Sequence, residues 1–114
     1  MLKQIEISTS QKVELVDITS LVEKAVRESK IKEGICIIFV PHTTAAITIN
    51  ENYDPSVCED FLGFLSKQIP EGIWKHDKID NNGAAHIKSA LIGPCVFIPI
   101  KDSTLMLGTW QGIM

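Results

Sequence analysis

With 114 residues, 45% of them apolar and 22% charged, the chain is long enough for one globular domain with its own core. A net charge of −3 and a pI near 5.5 lack the basic footprint of a general nucleic-acid binder. No apolar run reaches bilayer-spanning length and residues 1–6 hold no secretory apolar region, so the expected compartment is the cytoplasm, with neither nucleic acid nor membrane as partner.

Residues 2–9 put Ile5 and Ile7 on one parity and read as a strand. Residues 13–16 read as its short partner after the polar turn Ser8-Thr9-Ser10-Gln11. Asp17 or Thr19 then caps a helix over residues 20–30, with an apolar stripe of Leu21, Val22, Ala25 and Val26 under a mixed-charge outer face. After Glu33-Gly34, residues 35–40 are apolar without alternation, the mark of a strand buried on both faces. Pro41 cannot donate to a ladder and interrupts pairing just before His42.

Residues 42–50 alternate. His42, Thr44, Thr48 and Asn50 share one parity, and Ala45, Ile47 and Ile49 the other, which predicts a strand with one polar and one apolar face. Short hydroxyl, amide and imidazole groups suit a defined pocket, although Thr and Asn also serve as plain cross-strand partners. The strand runs into a second polar cluster, Asn50-Glu51-Asn52-Tyr53-Asp54. Asp54 and Pro55 then form a helix start, the carboxylate accepting from free amides and the proline fitting the first turn. Val57, Phe61, Phe64, Leu65 and Ile69 recur at helical spacing and read as core.

Residues 74–83 are polar and irregular, and a short helix over 84–91 stops at Gly93-Pro94. Strands over 95–100 and 104–107 joined by Lys101-Asp102-Ser103 predict a hairpin. The three cysteines, odd in number and without a Cys-x-x-Cys pair, read as small buried hydrophobes.

The histidines, His42, His76 and His86, all fall in polar segments. Three imidazoles with an open position would suit zinc, yet their spacing matches no compact motif. Carboxylates cluster as Glu51 with Asp54 and as Asp77 with Asp80, candidates for a general base or a magnesium ligand. Asp54 has a competing job as helix cap, and Asp77 and Asp80 could be turn formers. No phosphate-binding glycine loop is present. An anion would use a helix N-terminus near Asp54 or Ala84, the entry Asn81-Asn82-Gly83-Ala84 being the better candidate, together with Lys88 or Lys101.

Taken together, His42-Thr43-Thr44-Ala45-Ala46, Ile49-Asn50-Glu51-Asn52, Asp54-Pro55, the His76 loop, residues 81–89 and Leu107-Gly108-Thr109-Trp110-Gln111 resemble the YjbQ family, also called the secondary thiamine-phosphate synthase family. The resemblance covers nearly the whole chain and implies a single domain over 1–114. It implies an α+β fold: a jelly-roll β-sandwich with two main helices and one short helix at its side, assembled as a homotrimer. Family members usually continue into another strand beyond the position of Met114. The resemblance implies an enzyme joining hydroxymethylpyrimidine diphosphate to a thiazole phosphate with release of diphosphate, a phosphorylated small-molecule substrate being its partner. Carried over by position, His42, Asp54, His76 and His86 are the expected catalytic residues. Thr44, Asn50, Asn52, Asn82, Ser89 and Gln111 are the expected substrate contacts, and the three histidines the expected ligands of a divalent metal, zinc or magnesium. The competing expectation is a non-catalytic metal- or ligand-binding homotrimer.

Overall fold

In the computed structural model, which describes residues 1–114, the chain order is α1 (Thr19–Ser29), β1 (Glu33–Phe39), β2 (Ile49–Glu51), α2 (Pro55–Gln68), a 3-10 turn (Lys75–Lys78), α3 (Gly83–Ile92), β3 (Cys95–Lys101), β4 (Thr104–Leu105) and β5 (Gln111–Ile113). The class is α+β. One antiparallel sheet has the order β1-β3-β4, and β2 pairs with β5 in a second. The five strands thus form one sheet of three and one of two within the chain.

Residues 1–16 form no strand, contrary to the expected hairpin over 2–16. An isolated two-stranded hairpin is marginal in water, and no neighbouring strand offers this segment a ladder. Its Ile5 and Val16 still pack against the core. At α1, Asp17 Oδ1 accepts from the Thr19 amide at 2.9 Å and from its hydroxyl at 2.6 Å. The cap position itself is Ile18, which makes no side-chain cap bond, rather than the expected Asp17 or Thr19. Thr19 is the first helical residue, and its hydroxyl oxygen accepts from the Ile113 amide at 2.8 Å, tying α1 to β5. Val22 and Val26 face the core, whereas Leu21 is exposed, which turns the buried stripe away from the expected line.

The main core joins α1 to one face of the larger sheet and to the strands beside it: Ile18, Val22, Val26, Ile47, Ile98, Ile100, Leu105 and Ile113. A smaller cluster of Leu65, Ile69 and Ala84, with Phe61 and Trp74 against it, seats α3 and the 74–78 turn on α2. Phe64, expected in this core, lies on the exposed side of α2.

Strand β1 is also corrected. Its even residues Cys36 and Ile38 pack on the core, but Ile35, Ile37 and Phe39 are 67%, 62% and 62% exposed. The register sets Ile37 opposite Phe97, itself 67% exposed, and Ile35 opposite Pro99. Within one chain the larger sheet therefore has one buried face and one bare apolar face.

The expected strand over 42–50 is paired only at its end. The ladder runs Ile49↔Ile113, Asn50↔Gly112, Glu51↔Gln111, extended by two bonds between Thr48 and Met114. Residues 41–46 instead make a loop closed at both ends, because the Val40 amide donates to the Pro94 carbonyl at 2.8 Å and the Ile47 amide to the Gly93 carbonyl at 3.1 Å. Pro41 removes the donor that would have continued β1.

Candidate functional site

The 74–86 segment is built around the Asp77 carboxylate. Oδ2 accepts from the Trp74 amide at 3.0 Å and Oδ1 from the Gly83 amide at 2.7 Å, so one side chain caps both the 3-10 turn and α3. These bonds, that from Trp74 foremost and that from Gly83 next, hold the Asp77 carboxyl below its ordinary pKa. The expected anion site at residues 81–84 is corrected accordingly: the Gly83 amide that would face an anion is already spent on Asp77.

The turn and the helix bring two of the three histidines together. The rings of His76 and His86 meet edge to face with centroids 4.7 Å apart and an interplanar angle of 88°. His76 Nε2 lies 3.3 Å from Asp80 Oδ2, but without hydrogen-bond alignment, and is buried with no hydrogen-bond partner. Asn82 Oδ1 is likewise buried and unpaired. Buried polar atoms without partners are rare, because each forfeits its hydration for nothing.

His42 stands differently. Its Nδ1 accepts from the Thr44 amide at 3.1 Å and lies 3.0 Å from the Thr44 hydroxyl, which places the proton of a neutral ring on Nε2. A metal ligated through Nε2 would need the opposite tautomer. No three His, Cys, Asp or Glu side chains come together as a metal-holding group, so His42, His76 and His86 form no such site within one chain.

The remaining expected residues are spread over several local tasks. Thr44 serves His42, and Asn50 Oδ1 accepts from the Glu51 amide at 2.7 Å. The Asn52 side chain packs on Gly112. Asp54 Oδ1 accepts from the Ser56 amide at 2.9 Å as the cap of α2; this amide first, and the Ser56 hydroxyl second, lower its pKa. The Ser89 hydroxyl donates to the Ala45 carbonyl at 2.5 Å, tying α3 to the His42 loop. Gln111 Oε1 accepts from the Gly108 amide at 2.7 Å. The cysteines are unpaired and half-buried, and burial pushes the Cys36 thiol up in pKa.

Tyr53 and Trp110 were not among the expected site residues. Their rings lie 4.8 Å apart, tilted by 55°, and line an open cleft with Glu51, Asp54 and Pro55. The available signal was Trp110 inside the motif segment Leu107-Gly108-Thr109-Trp110-Gln111 and Tyr53 directly after Ile49-Asn50-Glu51-Asn52.

Comparison with known proteins decides the family, since the description UPF0047 protein YjbQ-like matches residues 3–114. The chain belongs to the YjbQ-like UPF0047 family. A UPF0047 protein of Methanocaldococcus jannaschii is 53% identical over 113 residues, covering 99% of this chain and 81% of the relative. The UPF0047 protein YugU of Bacillus subtilis is 42% identical over 116 residues, covering 99% and 86%. Among solved structures, a YjbQ/UPF0047 protein of Clostridium acetobutylicum superposes with a TM-score of 0.89 at 49% identity, covering 94% of this chain and 82% of that one. A YbjQ-like protein of unknown function from Sulfolobus solfataricus gives 0.89 at 44% identity, covering 94% and 78%.

These relatives correct the expected activity. They are named only as UPF0047 proteins, and a solved member is described as of unknown function, so YjbQ-like membership carries no thiamine-phosphate synthase activity to this chain. No helix is long and apolar enough to cross a membrane.

Proposed function

We propose that this UPF0047 chain binds a small phosphate-bearing molecule at the His76–His86 corner, within a homotrimer. The observation that carries the reading is the pair of buried, unpartnered atoms His76 Nε2 and Asn82 Oδ1 in the segment that brings the two imidazoles into contact. An imidazole N–H and a side-chain amide, whose oxygen and nitrogen ends are interchangeable by a flip, offer what a phosphate oxygen accepts. Lys75 and Lys78 lie on the same turn and Lys88 on the same helix, a local excess of positive charge in an acidic chain. A phosphate oxygen aligned with His76 Nε2 would displace the poorly aligned Asp80. A divalent cation enters this reading only with ligands from beyond one chain, because one chain gathers no three-ligand group.

The bare apolar face of Ile35, Ile37, Phe39 and Phe97 supports the assembly. The non-alternating residues 35–40 are written for burial on both sides, and a second copy covering that face would supply the missing side. In the same reading, the β1-β3-β4 and β2-β5 sheets are the two layers of a jelly-roll sandwich.

The test is a titration with inorganic pyrophosphate followed on the imidazole resonances. His76 and His86 signals should shift together and saturate, and His86→Ala should abolish saturation. Asp80→Asn should tighten binding by removing the competing carboxylate. No saturable shift, or tighter binding lost rather than gained in Asp80→Asn, would remove the reading.

A further inference from the structure

The β2–β5 ladder ends at Glu51↔Gln111, and one further bond, from the Asn52 amide to the Trp110 carbonyl at 3.0 Å, closes it. Trp110 supplies that carbonyl and Tyr53 follows Asn52, so the bond brings their rings into contact. The backbone holds both in place. Gln111 bonds to Gly108 through its amide at 3.0 Å and through its Oε1 at 2.7 Å, which fixes the turn carrying Trp110. On the other side, the Asp54 cap and Pro55 at the first position of α2 fix the exit of Tyr53.

The resulting cleft has a volume of about 580 Å³ and is lined by Glu51, Tyr53, Asp54, Pro55 and Trp110. Tyr53 and Trp110 are 76% and 53% exposed, so the fold leaves two large rings largely in water while holding them against each other. Neither Glu51 nor Asp54 takes part in an ion pair, and no Lys or Arg lines the cleft. The Glu51 carboxylate, half-buried, accepts no hydrogen bond, whereas Asp54 is held by Ser56. The cleft therefore combines two ring faces, each negative at its centre, with two carboxylates and no compensating cation.

We propose that this cleft is a binding site for a small organic cation with a methylated or quaternary ammonium head group. Such a head group is weakly hydrated and charged, so ring faces attract it without a large desolvation cost. With their centroids 4.8 Å apart the rings pack on each other, so the methyl groups would lie along the open side of the pair rather than between the rings, and the carboxylates balance the charge at longer range. A divalent metal ion would be poorly served. Hard cations take six or more oxygen ligands at short distance, and two of the larger lining groups here are carbon rings. The site shares no residue with the His76–His86 corner, and its ligand is opposite in charge.

The test uses the whole chain and two probes of nearly equal shape: choline, and its neutral carbon isostere 3,3-dimethylbutan-1-ol. The readout is the indole N–H resonance of Trp110, with that of Trp74, bonded to the Pro70 carbonyl, as an internal reference. Choline should shift Trp110 saturably, leave Trp74 in place, and bind at least about fivefold more tightly than the isostere, the scale of a cation–π contact. Glu51→Gln should weaken choline and leave the isostere unchanged, and Trp110→Ala should abolish the preference, read for that variant on the Tyr53 ring signals. Circular dichroism confirms that each variant retains the parent melting curve. Equal affinity for the two probes, or no saturable shift of Trp110, would overturn the proposal.

Discussion

At the scale of single residues, the Asp77–Gly83–Trp74 contact shows how tightly local chemistry is used. A Cβ on Gly83 would lie 2.6 Å from Trp74 Cβ and 2.9 Å from Asp77 Oδ1. Gly83→Ala should therefore destabilise the chain by about 1–3 kcal/mol in urea unfolding, the usual cost of overpacking. It should also weaken pyrophosphate binding, because the turn and α3 share that cap. The aspartates set the acid limb of stability. Asp77 and Asp54 both have folded pKa values below the ordinary 3.8, the former through the Trp74 and Gly83 amides and the latter through Ser56. Between the folded and unfolded values the unfolded chain binds more protons, so stability rises with pH there. Their contribution should be complete above roughly pH 5 and lost as pH falls through their folded values. Urea midpoints measured from pH 2 to 6 should show this slope, and Asp77→Asn should flatten it. At Asp54, Asn caps about as well as Asp. Asp54→Asn should keep the melting temperature at neutral pH and Asp54→Ala should lower it, while both weaken choline binding.

At the scale of elements, the hairpin between β3 and β4 carries an improvable turn. Lys101 pairs with Thr104, and the two residues between, Asp102 and Ser103, have φ of 51° and 59°. Both central residues at positive φ mark a type I′ turn, for which Asp-Gly is preferred over Asp-Ser. Left-handed backbone costs a non-glycine residue roughly 1–2 kcal/mol, and glycine returns roughly 0.5–1 of that through unfolded-state entropy. Ser103→Gly should therefore stabilise the chain by about 0.5–1 kcal/mol in denaturant unfolding. The hairpin turn and the α2 start were legible in the sequence because their determinants sit within four residues of one another, although β4 spans only Thr104–Leu105 of the expected 104–107. Strand 42–50 was misread for the opposite reason: its parity was real, but a ladder needs a partner, and only Ile49 to Glu51 find one in β5, with Thr48 on Met114 beyond it.

At the scale of the whole molecule, the bare face of β1 and β3 is the largest unresolved demand. Burying an Ile or Phe side chain is worth roughly 1.5–3 kcal/mol, and Ile35, Ile37, Phe39 and Phe97 forgo most of that in a lone chain. Light scattering at micromolar concentration should give three times the 12.6 kDa mass of one chain. Phe97→Glu, which places a charge at the centre of that face, should shift the mass toward a single chain. A single-chain mass for the parent protein would refute the assembly.

By itself the sequence determined the family, through motif segments spread over nearly the whole chain, and the α+β class. It also located the start of α2 at its Asp54 cap, and placed that of α1 to within a residue, the cap there being Ile18. Only the tertiary structure decided that His76 and His86 touch while His42 turns to Thr44, and that Tyr53 meets Trp110 across 57 residues of chain. Caps and turns are written in neighbouring residues, so a local reading finds them. Contacts between distant segments depend on which strands pair and in which register, and no single segment encodes both sides of a pair.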